Sequence, residues 1–235
     1  MLQNAQNNSN LDRQMFAKTM SEKDGQRTYR HALQKLVSRF HGEILFPGDT
    51  DYDSARVVWN GVGDRHPAMI ARPTGVDDVI SAVDFAREQG VEVAVRSGGH
   101  SVPGYSTIDN GMVIDLSRMK AIAIDPERRI ARLEPGLTFG EVAGALQPHG
   151  LALTSGDTAT VGVGGLLLGG GIGWMVRKYG LTIDHLRAVE LVTADGQFLR
   201  ASANENAELF WGYVVEVATS VSSPPSRSTC TRPGW

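Results

Sequence analysis

Apolar and polar positions alternate along the chain in two distinct rhythms, and each rhythm predicts its own kind of element. Leu33, Leu36, Val37 and Phe40 recur at helical steps and predict an amphipathic helix over 29–40. The polar stretch before it, 1–26, is expected to be poorly ordered. A brief strand at 42–46, a turn at Pro47-Gly48-Asp49 and a helix over 52–59 stopped by Asn60-Gly61 follow. Residues 68–72 form an apolar strand ending at Pro73. Val76, Val79, Ile80, Val83, Phe85 and Ala86 then take up helical spacing until Gln89-Gly90, and 91–95 is an apolar return strand. Strand, helix and return strand predict a parallel βαβ unit.

Downstream, 111–116 reads as a further strand. Residues 121–124 and 130–134 read as a hairpin around Asp125-Pro126-Glu127-Arg128. Thr138 and Glu141 have the spacing of a capping box, opening a helix with Phe139, Val142, Ala143 and Leu146 on one face and Gly150 at its end. A second hairpin joins 186–193 to 198–201 through Ala194-Asp195-Gly196, and 202–211 reads as a short capped helix. From Val214 onward the Val/Ser/Thr/Pro sequence has no amphipathic period. The expected class is α+β, with two small α/β subdomains at about 42–116 and 121–211.

Composition narrows the function. The 235 residues are 41% hydrophobic and 21% charged with a net charge of −3, so nothing argues for a nucleic acid or an anionic membrane as partner. Cys230 is the one cysteine, which excludes an intramolecular disulfide and a cysteine-based metal site. The first ten residues hold no signal-peptide core and no apolar run is long enough to span a bilayer, so a soluble, cytoplasmic protein is expected. The histidines and acids show no metal-ligand spacing, and no Ser/His/Asp arrangement is apparent.

The 27 glycines are clustered, and the clusters hold the candidate chemistry. Arg96-Ser97-Gly98-Gly99-His100-Ser101 follows the 91–95 strand. Its bare backbone admits a flat or anionic ligand, its serines and main-chain N–H groups suit a diphosphate, and His100 brings a nucleophilic ring nitrogen. Alone, such a segment is as often an ordinary strand-to-loop turn. The second cluster runs from Val161 to Gly173. It lacks the Gly-x-Gly-x-x-Gly dinucleotide fingerprint and the Lys-Ser/Thr end of a phosphate loop. Its bland alternative is a packing segment, or a helix contact through Gly165 and Gly169. Thr154-Ser155-Gly156-Asp157-Thr158 immediately upstream supplies small hydrogen-bonding groups that favour a ligand with a polyol-phosphate tail. His66, His149 and His185 read as surface or capping groups, and Trp174 as a core aromatic rather than one lining the cofactor or substrate side.

Taken together these motifs resemble the FAD-linked oxidoreductases with a PCMH-type (vanillyl-alcohol oxidase-like) FAD-binding domain, in the berberine-bridge-enzyme-like, oligosaccharide-oxidase-like branch. The resemblance covers about 42–211 and rests on Ala71-Arg72-Pro73, the 96–101 segment, Glu134-Pro135-Gly136, Thr160-Val161-Gly162-Val163-Gly164-Gly165, Gly169-Gly170-Gly171-Ile172-Gly173-Trp174, Arg177-Lys178-Tyr179-Gly180-Leu181 and Thr193-Ala194-Asp195-Gly196. It implies two subdomains clamping FAD, hydride transfer from an alcohol-bearing sugar or secondary metabolite, and O2 as the usual reoxidant. Arg96, Ser97, Gly98, Gly99, His100 and Ser101 match the loop around the FAD diphosphate, with His100 as the histidine bonded to the flavin 8α-carbon. Ser155, Gly156, Asp157 and Thr158 with Gly162, Gly164 and Gly165 match the loop that contacts isoalloxazine and diphosphate. Gly170, Gly171 and Gly173 match a further close approach. Bicovalent members carry a cysteine where this chain has Thr158, so a single link through His100 is implied.

The resemblance stops abruptly. Family members continue with roughly Arg-Gly-Gly-Gly-Gly-Asn-Phe-Gly-Val-Val-Thr-Ser-Phe and a strand ending Phe-Asp-Leu-His-Pro, whereas this chain continues from Val214 with Val215-Glu216-Val217-Ala218-Thr219-Ser220-Val221-Ser222-Ser223-Pro224-Pro225. One choice of codons for the family peptide, read one nucleotide later, gives this tail residue for residue. Ser228-Thr229-Cys230-Thr231-Arg232 relates to Phe-Asp-Leu-His-Pro by the same shift. The expectation is an out-of-frame tail over 212–235, with little stable structure after about Tyr213. The family's substrate domain and catalytic base would then be missing. The alternative to an oxidoreductase portion is a non-catalytic fragment that binds FAD weakly or not at all; a nicotinamide-binding domain is disfavoured by the absent fingerprint.

Overall fold

A computed structural model describes residues 23–61, 64–215 and 226–229. Two sheets organise it. The first contains β1 (Glu43–Leu45), β2 (Met69–Arg72), β3 (Val93–Arg96) and β4 (Met112–Asp115), in the order β1-β2-β4-β3. The last three are parallel, and β1 is antiparallel on the edge. The βαβ unit forms as expected through a helix at Val76–Gln89, but β4 lies between its two strands. Sequence periodicity reports which face is buried and says nothing about which strand sits beside which.

Three helices belong to this half: α1 (Lys23–Arg39), α2 (Tyr52–Arg56) and α3 (Val76–Gln89). Strand alternation sorts the core. Met69, Ala71, Met112 and Ile114 pack with Val79, Val83 and Phe85 of α3 and with Tyr29 and Leu36 of α1. Ile70 and Val113 face the other way, onto Leu45, Tyr52 and Ala94. Gly90 closes α3 in the left-handed region at φ +65, donating its N–H to the Ala86 carbonyl. The helix expected over 52–59 ends earlier, because Val57 is already extended.

Asp78, 2% exposed, ties these pieces together. It accepts the main-chain N–H groups of His41 (2.7 Å), Gly42 (3.0 Å) and Thr74 (3.0 Å), and the Thr74 hydroxyl (3.1 Å). Burial by itself would raise its pKa; the bonds from Thr74 and His41 outweigh burial and hold it below the usual carboxylate value.

The second sheet contains β5 (Ile122–Asp125), β6 (Ile130–Leu133), β7 (Leu186–Val192), β8 (Phe198–Ser202) and β9 (Ser226–Thr229), antiparallel in the order β5-β6-β9-β7-β8. Both predicted hairpins are present. So is the capping box of α4 (Phe139–Leu146): Thr138 Oγ1 accepts the Glu141 N–H at 3.4 Å, and Glu141 Oε2 accepts the Thr138 N–H at 2.8 Å. The second glycine cluster contains a short helix, α5 (Val163–Leu168), which buries Val163 and Leu167 in this half's core. Two more helices follow, α6 (Val176–Tyr179) and α7 (Ala207–Val215).

Further expectations are corrected. The tail after Tyr213 was expected to carry little stable structure, yet α7 runs to Val215 and Ser226–Thr229 forms β9 between β6 and β7. Ladder hydrogen bonds are made by the main chain, so two facing open edges accept an extended segment with little regard to its side chains. Residues 23–26 of the polar N-terminal stretch, also expected to be poorly ordered, are the start of α1. Residues 216–225 and 230–235 of the tail, and 1–22 of the N-terminal stretch, lie outside the described residues. Trp174, expected in the core, is 88% exposed. The inner side of its turn is filled by main chain: a Cβ on Gly173 would lie 1.5 Å from the Ser155 carbonyl oxygen.

Candidate functional site: a cleft between two glycine-rich segments

Three parallel strands end at one buried carboxylate. Asp115 closes β4, and its Oδ2 lies 2.8 Å from Arg96 Nη2 at the end of β3 and 3.5 Å from Arg72 Nε at the end of β2. Asp115 Oδ1 accepts the Ser117 N–H at 3.1 Å. Arg96, 6% exposed, also donates to the carbonyls of Ala55 and Val57. Its charge is therefore spent on fixing the base of the loop. The carboxyl ends of parallel strands are where open α/β sheets present ligand loops.

The loop that follows is clamped from several directions. Ser97 Oγ donates to the Pro135 carbonyl. Gly99 has φ +71, and its carbonyl accepts the main-chain N–H of Trp59 at 3.2 Å. Asn60 Nδ2 donates to the Val102 carbonyl at 2.8 Å, and Ser101 Oγ accepts the Tyr105 N–H at 3.0 Å. The His100 ring stacks on Trp59, with 5.3 Å between centroids and 21° between planes, and its Nε2 lies 3.0 Å from Thr160 Oγ1.

Gly98 and Gly162 bring the two glycine-rich segments into direct contact. A Cβ on Gly98 would lie 2.2 Å from the Gly162 nitrogen, and one on Gly162 would lie 2.2 Å from the Gly98 nitrogen. Main chain meets main chain here, and no larger residue fits. Gly165 is the opposite case: a Cβ there would meet nothing within 4 Å.

Beside this seam lies a cleft of about 1140 Å³, just above the usual range of about 300–1,000 Å³ for small-molecule sites. Ser97, Gly98, Gly99, His100, Ser101, Gly162 and Gly165 of the predicted set line it. Arg96 sits behind the loop, and a Cβ on Gly164 would lie 3.4 Å from the side chains of Pro135 and Ser97. Ser155, Gly156, Asp157, Thr158, Gly170, Gly171 and Gly173 are not on this lining; Ser155 borders a separate hollow of about 340 Å³. Gly171 and Gly173 are bare for packing, since a Cβ would lie 2.1 Å from Thr182 Oγ1 and 1.5 Å from the Ser155 oxygen respectively.

Sequence reasoning overlooked four residues. Ser106 and Thr107 belong to the cleft wall, and their hydroxyls are buried with no hydrogen-bond partner among the described residues. Buried polar groups are rarely left so. Their signal was a hydroxyl pair directly after Gly104-Tyr105. Trp59 and Thr160, which hold His100, gave no local signal, because their contact with it is set by tertiary structure. The cleft thus offers bare main chain, small polar residues and an apolar wall that includes Val83, Ile108, Leu166 and Leu168. That combination fits a long ligand with an aromatic system and a polar tail, as FAD has.

Residues 67–202 match the family model described as FAD binding domain, and the chain belongs to this family of FAD-linked oxidoreductases. The (R)-6-hydroxynicotine oxidase of Paenarthrobacter nicotinovorans is 39% identical over 170 residues, 72% of this chain and 37% of the relative. The crystal structure of 6-hydroxy-D-nicotine oxidase from Arthrobacter nicotinovorans superposes with a TM-score of 0.80 at 35% identity, covering 82% of this chain and 43% of that one. The glucooligosaccharide oxidase of Acremonium strictum, which carries 6-S-cysteinyl, 8α-N1-histidyl FAD, gives 0.80 at 29% identity, covering 85% and 42%. The fold is therefore that of the PCMH-type FAD-binding domain, and the chain spans about two fifths of the length of these relatives. Among the described residues no helix is long and apolar enough to cross a membrane.

Proposed function

We propose that this chain is the flavin-holding portion of an oxidoreductase that oxidises alcohol-bearing small molecules, sugars or secondary metabolites, with O2 as the reoxidant. The observation that carries this reading is the cleft in which bare main chain, the small polar residues Ser97, Ser101, Ser106 and Thr107, and His100 converge. Bound FAD supplies the two-electron acceptor for a hydride. The chain's residues do the holding. Arg96 fixes the loop. Ser97, Gly98, Gly99, Ser101, Gly162, Gly164 and Gly165 present main chain and hydroxyls to the diphosphate. Ser155, Gly156, Asp157 and Thr158 belong to the loop that contacts isoalloxazine and diphosphate, and Gly170 stands at the further close approach, where Gly171 and Gly173 are bare for packing. His100 makes the single covalent bond, with Thr158 at the position of the second link. The acid–base group that oxidation also needs is assigned to no residue of this chain.

Acid precipitation tests the reading. The chain loaded with FAD is expected to give a yellow pellet, while His100→Ala binds flavin in the native state and releases it into acid. A colourless pellet from the loaded wild-type chain contradicts the covalent assignment, and failure to retain any FAD contradicts the function. The out-of-frame origin of 214–235 is part of the same proposal. It predicts that the gene, read one nucleotide earlier across the Tyr213 codon, encodes Gly-Gly-Gly-Gly-Asn-Phe-Gly; a codon set that forbids this reading removes it.

A further inference from the structure

The two nitrogens of His100 have unequal surroundings. Nε2 faces Thr160 Oγ1 at 3.0 Å, while Nδ1 has no hydrogen-bond partner among the described residues. Stacking on Trp59 fixes the ring plane, and the hydrogen bond fixes rotation within that plane. Thr160 is itself held by the seam: a Cβ on Gly98 would come within 3.1 Å of the Thr160 carbonyl oxygen. The close approach of the two glycine-rich segments therefore sets where the Thr160 hydroxyl stands relative to His100.

A neutral imidazole has one protonated nitrogen and one lone pair, and the partner of the first decides the availability of the second. We propose that Thr160 is a positioning residue for His100. Its hydroxyl oxygen accepts the Nε2 proton and leaves the Nδ1 lone pair free to attack the flavin 8α-carbon. This rests on the function proposed above. In the step, the Nδ1–C8α bond forms, and one proton leaves the 8α-methyl group and one leaves Nε2. Two electrons pass into the isoalloxazine of the same flavin, which takes up both protons. The product is His100-linked reduced flavin, balanced without an outside oxidant; O2 then reoxidises it and becomes hydrogen peroxide. As the new bond draws charge from the ring, the Nε2 proton becomes more acidic and its bond to Thr160 strengthens, which favours the step over the ground state.

Two measurements on the whole chain test this. Long-range nitrogen–proton NMR correlation of the imidazole, before FAD is added, is expected to show His100 protonated on Nε2; protonation on Nδ1 overturns the proposal. With FAD, Thr160→Val is expected to form acid-stable flavin about tenfold more slowly, the weight of one ordinary hydrogen bond. Its melting temperature and initial non-covalent FAD affinity should stay at wild-type values, and Thr160→Ser should recover the rate. The digested wild-type flavinyl peptide should be linked through Nδ1. A wild-type rate in Thr160→Val, or an Nε2-linked peptide, overturns the proposal while leaving the covalent assignment intact. Absence of acid-stable flavin from the wild-type chain overturns both, and is seen before any Thr160 variant is made.

Discussion

The seam at Gly98 and Gly162 and the open wall at Gly165 use the same residue for opposite ends. At the seam, glycine lets two main chains touch, and a methyl group on either residue would overlap a backbone nitrogen at 2.2 Å. At Gly165, glycine leaves space on the cleft lining with nothing within 4 Å. A glycine-rich sequence therefore does not by itself mark ligand contact. Here one glycine of the second cluster builds the scaffold, and another three residues on faces the space that the scaffold creates.

Substitutions can pull these roles apart, starting with the anchor beneath the seam. Asp115→Ala leaves the buried Arg96 charge without its carboxylate. Losing one partner of a buried pair costs about 3–5 kcal/mol, so chemical denaturation is expected to show the largest loss of stability here, with the cleft lost too. Gly162→Ala is next: overpacking costs about 1–3 kcal/mol, and thermal unfolding and FAD retention should fall together. A Gly162→Ala chain as stable as wild type would mean that the seam is looser than described.

Asp78 provides a control away from both regions. Its folded pKa lies below the ordinary carboxylate value, so the unfolded chain binds this proton more readily. The stability it contributes is complete above about pH 4 and is lost as pH falls through the folded pKa. Asp78→Asn is expected to cost about 1.5–3 kcal/mol at neutral pH, the worth of hydrogen bonds to a charged group. It should flatten the acid limb of the melting-temperature profile and leave FAD retention unchanged. An acid limb as steep as wild type would assign that dependence to other carboxylates.

How much of this was legible from the sequence follows the range of the interactions. The capping box of Thr138 and Glu141, the turn at Ala194-Asp195-Gly196 and the αL stop at Gly90 are decided within a few residues, and all were read correctly. The loop at 96–101 was recognised from its own residues. Position in space was not legible. Nothing near Met112–Asp115 says that this strand sits between β2 and β3, and nothing near Gly98 points to Gly162, 64 positions away. The α5 helix was legible only as the alternative to a ligand loop, because the weak helix propensity of its glycines is overridden by burying Val163 and Leu167. Ser106 and Thr107 stood in plain view as a loop, but their lack of partners exists only in the folded chain.

The central claim is that the space beside the seam is the seat of FAD. Gly165→Leu tests it most directly, because the added side chain enters open space and leaves the seam untouched. Titrating FAD into the wild-type chain, followed by flavin fluorescence, should show saturable one-to-one binding. Gly165→Leu should keep the wild-type melting temperature within about 0.5 kcal/mol of stability and lose that binding. Undiminished FAD affinity in a folded Gly165→Leu chain would contradict the account.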